Sequence, residues 1–156
     1  MAEKGEYVYE YPRPMVTVDA AVFALVEGKA SLLLVQRRHE PFQGSWALPG
    51  GFVEIDEDLP DAAARELAEE TGLKDVPLEQ LRTFGRPGRD PRGRTITVVY
   101  FGIARQDQQQ VKAADDAAQA QWFAIDNLPQ MAFDHNEISR CAIERLRQQP
   151  ARALSA

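Results

Sequence analysis

The chain has 156 residues, is 44% hydrophobic and carries a formal net charge of −6, with a pI near 5.0. That length suits one compact domain over 1–156 and leaves little room for a second. The acidic balance argues against long nucleic acid as a partner, because phosphate neutralisation dominates that affinity. Small anionic substrates stay open, since local arginines or a bound cation reverse the field. Cys141 is the only cysteine. It excludes an internal disulfide and a thiolate metal centre, and reads as a small, partly buried hydrophobe on a helix. No apolar run is long enough to span a bilayer, and residues 1–14 lack the apolar stretch of a secretory signal. The expected setting is cytoplasmic, with no membrane partner.

Residues 1–14, ending Tyr11-Pro12-Arg13-Pro14, read as an extended arm. Met15 to Val26 places Val16, Val18, Ala20, Val22 and Ala24 on one face, the period of two expected of a strand. Glu27-Gly28-Lys29 is a turn, and Ser31 to Gln36 pairs back as a hairpin. Residues 39–56, punctuated by Pro41, Gly44, Pro49, Gly50 and Gly51, read as loop. A helix is expected from Leu59 to Thr71, with Pro60 and Asp61 in its first turn and Gly72 as its left-handed stop. Leu81 to Arg86 is the next expected strand, followed by the loop Arg86–Arg94 with its four arginines. Thr95 to Ala104 is the clearest strand, rich in β-branched and aromatic residues. A loop over 106–118, a short strand from Gln121 to Ile125 and a closing helix over 136–149 complete the chain. Strands and helices in this order argue for an α+β sandwich.

The chemistry concentrates in the first helix. Glu66, Glu69 and Glu70 lie at i, i+3 and i+4, and a rotation of about 100° per residue puts all three carboxylates on one side. Taken alone, such a face is commonly just solvated. As a group, three hard oxygen ligands suit Mg²⁺, or Mn²⁺ in its place, which keep several waters and complete their shell from substrate phosphates. Arg65 can hold Glu69 in one rotamer, and Glu57 can reach the same cluster. Gly50-Gly51 lets the backbone turn tightly and approach closely. Ala63, Ala64 and Leu67 form the side expected to meet a sheet.

Gly51, five residues, Glu57, seven residues, then Arg65-Glu66-Leu67-Ala68-Glu69-Glu70-Thr71-Gly72-Leu73 resembles the Nudix box at all nine of its defined positions. The resemblance implies the Nudix fold, a mixed β-sheet sandwiched between α-helices (α/β/α). It implies that Glu66, Glu69 and Glu70 bind the metal with a backbone oxygen from the Gly51 region, and that Glu57 and Arg65 support them. It implies hydrolysis of a P–O–P bridge by water, with metal neutralising the phosphates. The general base is either a box glutamate or a later loop carboxylate, where Asp115 and Asp116 stand and Asp116 is preferred.

Three further features resemble the ADP-ribose pyrophosphatase branch: Pro87, fifteen residues after Gly72; the stretch Leu128 to His135 containing Phe133-Asp134-His135; and the Tyr11–Pro14 arm. They imply a nucleoside diphosphate substrate, ADP-ribose split to AMP and ribose 5-phosphate, and a homodimer built through the arm. Arg37, Arg38, Arg86, Arg89 and Arg92 are candidate phosphate ligands, although single arginines are more often surface charges. Trp46, Phe133, Tyr9 and Tyr11 can stack on adenine or pack in the core. His135 can contact substrate or cap the last helix. Two alternatives remain: a nucleoside triphosphate pyrophosphohydrolase acting on oxidised dNTPs, and a non-catalytic Nudix-like ligand sensor. The short tail after the last helix argues against the DNA-binding module of such sensors.

Overall fold

The computed structural model describes residues 5–112 and 117–155. Strand β1 (Met15–Val26) runs through its centre. It pairs in parallel with β6 (Thr95–Ile103) along one edge, from Met15 opposite Thr95 to Phe23 opposite Ile103. Its other edge is shared. The second half, Phe23 to Val26, pairs with β2 (Lys29–Arg37), while the first half, Thr17 to Asp19, pairs with β4 (Gly50–Phe52). Two strands competing for one edge must diverge, and a cleft opens between them.

The sheet continues from β2 to β3 (Trp46–Ala47) and β7 (Ala117–Ala124), and from β6 to β5 (Leu78–Phe84). The β1–β2 hairpin closes on Glu27 and Gly28 at φ of 50° and 78°, the left-handed pair that lets a two-residue turn follow strand twist.

Alternation along the central strands divides the core. Phe23, Leu32, Leu34, Val99 and Phe101 face helix α2 (His135–Arg147), which contributes Ile138, Ala142, Ile143 and Leu146. Ala20, Val22, Ala24 and Leu33 face the other way, with Val18, Val98 and Tyr100, onto helix α1 (Leu59–Thr71). This is the α/β/α arrangement that the box implies. α1 buries Ala62, Ala63 and Leu67; Ala64, expected on that side, is exposed. The helix starts on Asp58, whose side chain accepts from Leu59 N–H at 2.8 Å, and stops on Gly72 at φ 79°. Cys141 is half-buried against the α2 side of the core. Among the described residues no helix is long and apolar enough to cross a membrane.

Four expectations shift. β5 begins at Leu78 rather than Leu81 and ends at Phe84, because pairing with β6 selects its register and places a bulge between Gln80 and Arg82. β7 covers Ala117–Ala124 rather than Gln121 to Ile125; polar, alanine-rich sequence is held as an edge strand by the backbone of β2. The stretch 39–56, read as loop, contains β3 and β4, too short to leave a period. The helix expected over 136–149 runs His135–Arg147.

Candidate active site

The divergence of β2 and β4 from β1 opens a cleft of about 450 Å³. One wall is the glycine-rich β4 and the acidic face of α1, bringing Gly50, Gly51, Phe52, Glu66, Glu69 and Glu70 to the cavity. Arg65 organises this wall with its whole guanidinium fork. Nε and Nη2 donate to the two oxygens of Glu57 at 2.6 and 2.8 Å, and Nη1 donates to Glu66 Oε1 at 2.9 Å and Glu69 Oε2 at 3.2 Å. Nη2 also reaches the Phe52 carbonyl at 3.3 Å. Arg65 is thereby held protonated, chiefly by Glu57, and Glu57 is pulled below the usual carboxylate range by the same bonds.

One guanidinium does not balance four carboxylates. Glu70, whose Oε1 accepts from Gly50 N–H at 3.1 Å, is pushed well above the usual range by burial and then by the charge of Glu66. Glu66 is also raised, mainly by burial, although Arg65 opposes the shift. Among the described residues, no group of three His, Cys, Asp or Glu side chains is already gathered as a metal cage; the glutamates lie around Arg65. The donor set nevertheless fits a hard divalent cation: carboxylate oxygens only, in excess negative charge, beside backbone. Gly51 fits too. A Cβ there would lie 2.5 Å from Glu66 Oε1, so only glycine admits that carboxylate.

The rest of the cleft carries positive charge. Arg37, from the end of β2, donates through Nε to the Pro41 carbonyl at 2.7 Å and lies over the Phe133 ring at 4.9 Å. Its pKa is lowered by burial and by neighbouring Arg92. Arg92 also approaches Phe133, at 5.0 Å, and Phe52 at 4.9 Å; its Nε and Nη2 donate to buried Asp90 at 3.1 and 2.8 Å, and Nη1 makes no hydrogen bond among the described residues. Phe133 has a φ of 52°, strained for an aromatic residue, and Phe42 meets its edge at 4.9 Å between centroids. Arg38 lines the cleft as well.

Other sequence candidates lie elsewhere or hold the scaffold. Trp46 is outside the cleft lining, packed edge-on against Phe123 at 4.8 Å. Arg86 and Pro87 are exposed, and Arg86 pairs with Glu137 of α2 at 3.0 Å. Arg89 lines the cleft but its fork is spent on Asp134 in two bonds of 2.8 and 2.7 Å, the side chains 3% and 9% exposed. Tyr9 and Tyr11 sit on the exposed arm, Tyr9 under Arg13 at 4.0 Å. Asp115 and Asp116 fall outside the described residues.

Asp19 and Thr97 were not singled out by sequence, yet both are buried, Asp19 on the cleft floor. Thr97 Oγ1 donates to Asp19 Oδ2 at 2.5 Å. A charged residue amid the apolar run MVTVDAAVFALV is the signal that marks it. His135 closes the floor: its Nδ1 accepts from Leu48 N–H at 3.0 Å, and burial lowers its pKa, so the ring is neutral.

The model of the NUDIX domain family matches residues 15–146. The chain belongs to the Nudix family. This Nudix chain is 42% identical over 128 residues to an ADP-ribose pyrophosphatase of Methanocaldococcus jannaschii, covering 82% of the chain and 72% of the relative. It is 38% identical over 143 residues to an ADPR responsive transcriptional repressor of Acinetobacter baylyi, covering 88% of the chain but only 56% of the repressor's length. Among solved structures, the NUDIX domain of Shewanella oneidensis NrtR complexed with ADP ribose superposes with a TM-score of 0.80 at 35% identity, covering 87% of this chain and 90% of that one.

Proposed function

We propose that the chain is a divalent-cation-dependent pyrophosphohydrolase whose substrate is ADP-ribose, cleaved to AMP and ribose 5-phosphate. The observation that carries this reading is the meeting, in one cleft, of the box glutamates with Arg37 and Arg92. A diphosphate is the ligand chemistry that answers both: its oxygens complete the shell of a cation and accept from guanidinium. Glu66, Glu69 and Glu70 would hold Mg²⁺, with Mn²⁺ able to substitute, beside the Gly51 backbone. When bound, the cation neutralises charge on the phosphates and acidifies water. Arg65 keeps the carboxylates in place, with Glu57 as its anchor. Arg37 and Arg92 orient the diphosphate, and Phe133 offers an aromatic face. Asp116 is proposed as the general base.

The choice of ADP-ribose is supported by the 42% identity to an ADP-ribose pyrophosphatase and by the ADP ribose bound to the similar solved NUDIX domain. A second reading, a sensor that binds the same ligand without turnover, is favoured by the similarity to the repressor. A panel of ADP-ribose, NADH, dinucleoside polyphosphates and dNTPs with Mg²⁺, with product identification, separates them. Release of AMP from ADP-ribose supports the enzyme; binding without turnover on any diphosphate supports the sensor; preference for a dNTP refutes the substrate. A homodimer through the arm is part of the proposal, supported by exposed Tyr7, Val8, Tyr9 and Tyr11, and light scattering at assay concentration tests it.

A further inference from the structure

The floor of the cleft holds a donor and an acceptor that do not use each other. His135 accepts at Nδ1 from Leu48 N–H. In the neutral ring that bond fixes the proton on Nε2, which becomes a donor. The side chain is 95% buried, being 5% exposed, yet no hydrogen bond to Nε2 exists among the described residues. No fully buried side-chain nitrogen or oxygen lacks a partner among them, so Nε2 opens to the cleft it lines. The nearest acceptor, Asp19 Oδ1, is 3.8 Å away, beyond hydrogen-bond reach. Asp19 spends Oδ2 on Thr97, which pins the carboxylate and leaves Oδ1 facing the histidine.

A donor and an acceptor at this separation suit a group that accepts from one and donates to the other. A hydroxyl does both. A phosphate oxygen would be repelled by Asp19, and an ammonium would find no acceptor on Nε2. A metal ion is also a poor fit, because one ring nitrogen is taken by Leu48 N–H and the other carries the proton. We propose that Asp19 Oδ1 and His135 Nε2 form a clip that reads a ribose hydroxyl of the bound nucleotide, accepting its proton at Asp19 and donating to its oxygen from His135. This deepens the nucleotide-sugar reading above and rests on it. Two sources share that chemistry, the adenosine ribose and the distal ribose, and analogues tell them apart.

The test is calorimetric binding to the full chain in EDTA, where turnover does not consume ligand. ADP-ribose is compared with an analogue deoxygenated on the adenosine ribose and another deoxygenated on the distal ribose. The expected result is a loss of about 10- to 100-fold in affinity for one analogue, the size of a hydrogen bond to a charged group, and none for the other. D19N should narrow that difference, and the His135 Nε2 proton resonance should shift with ADP-ribose but not with the weakened analogue. Equal affinity for all three ligands overturns the clip and leaves the nucleotide reading standing. Failure of ADP-ribose both to bind in EDTA and to be bound or cleaved with Mg²⁺ overturns both. The analogue arms use the unaltered chain, so poor folding of D19N does not blunt them.

Discussion

Gly51→Ala isolates the contact that couples β4 to the acidic face of α1. A Cβ at this position would stand 2.5, 2.6 and 2.8 Å from Glu66 Oε1, Cδ and Oε2. The carboxylate must withdraw by roughly 1 Å to reach ordinary contact, and a misplacement of that size at a reacting centre costs about 100-fold in rate. Folding should suffer little. The obstructing atoms are the far end of a flexible side chain, and withdrawal forfeits mainly the Arg65 Nη1–Glu66 bond of 2.9 Å, with Arg65 still gripping Glu57. That pair is partly buried and is worth about 1 kcal/mol at most, or a Tm shift of no more than about 4 °C in a domain of this size. The assay measures kcat/KM on ADP-ribose across a Mg²⁺ titration, with thermal unfolding alongside. Wild-type kcat/KM and unchanged half-saturating Mg²⁺ would refute the argument that this approach builds the metal wall. A collapse of Tm by tens of degrees would refute the claim that the wall is separable from the fold.

Glu69→Gln and Glu70→Gln should each lower kcat by at least about 100-fold, with an unchanged circular dichroism spectrum; unchanged turnover removes the metal assignment. Arg89→Met leaves Asp134 as a buried, unpaired anion, which costs about 3–5 kcal/mol and should lower Tm by roughly 10 °C; adding Asp134→Asn should recover part of that loss in the same melt. Stability of the metal-free protein should fall as pH rises. The folded-state values of Glu70 and Glu66 are raised by burial, so the folded state holds those protons more tightly than the unfolded chain does. That stability is fully present below the ordinary carboxylate range and is lost as pH climbs through the raised values. Melts in EDTA across this range should show the decline, Mg²⁺ should reverse it most at the higher pH, and Glu70→Gln should flatten it; a flat wild-type profile contradicts the crowding of the glutamates.

The helix α1 and its stop were legible in sequence because they are local. Pro60, Asp61 and Gly72 act within one turn of themselves, and the spacing of Glu66, Glu69 and Glu70 is a consequence of helical rotation alone, whereas the N-cap Asp58 emerged only from the structure. β1 was legible by its alternation, β2 as a short apolar run after a turn, and β6 by its β-branched and aromatic residues. The partition of the arginines was not legible. Arg37, Arg86, Arg89 and Arg92 carry the same charge in sequence, but Asp134 occupies Arg89, Glu137 occupies Arg86, and Arg37 and Arg92 approach Phe133 in the cleft. Those partners lie 40 or more residues away along the chain, so no local pattern records them. Trp46 shows the same limit: its ring packs on Phe123, far along the chain, by the pairing of β2 with both β3 and β7.

Sequence by itself thus determined the acidic helix, because the side its glutamates share follows from backbone rotation, and the resemblance of its motif to the Nudix box pointed to the family. Tertiary structure alone decided where the cleft opens, since that depends on β2 and β4 sharing one edge of β1. It also decided that Asp19 and His135, 116 residues apart, face each other across 3.8 Å on its floor.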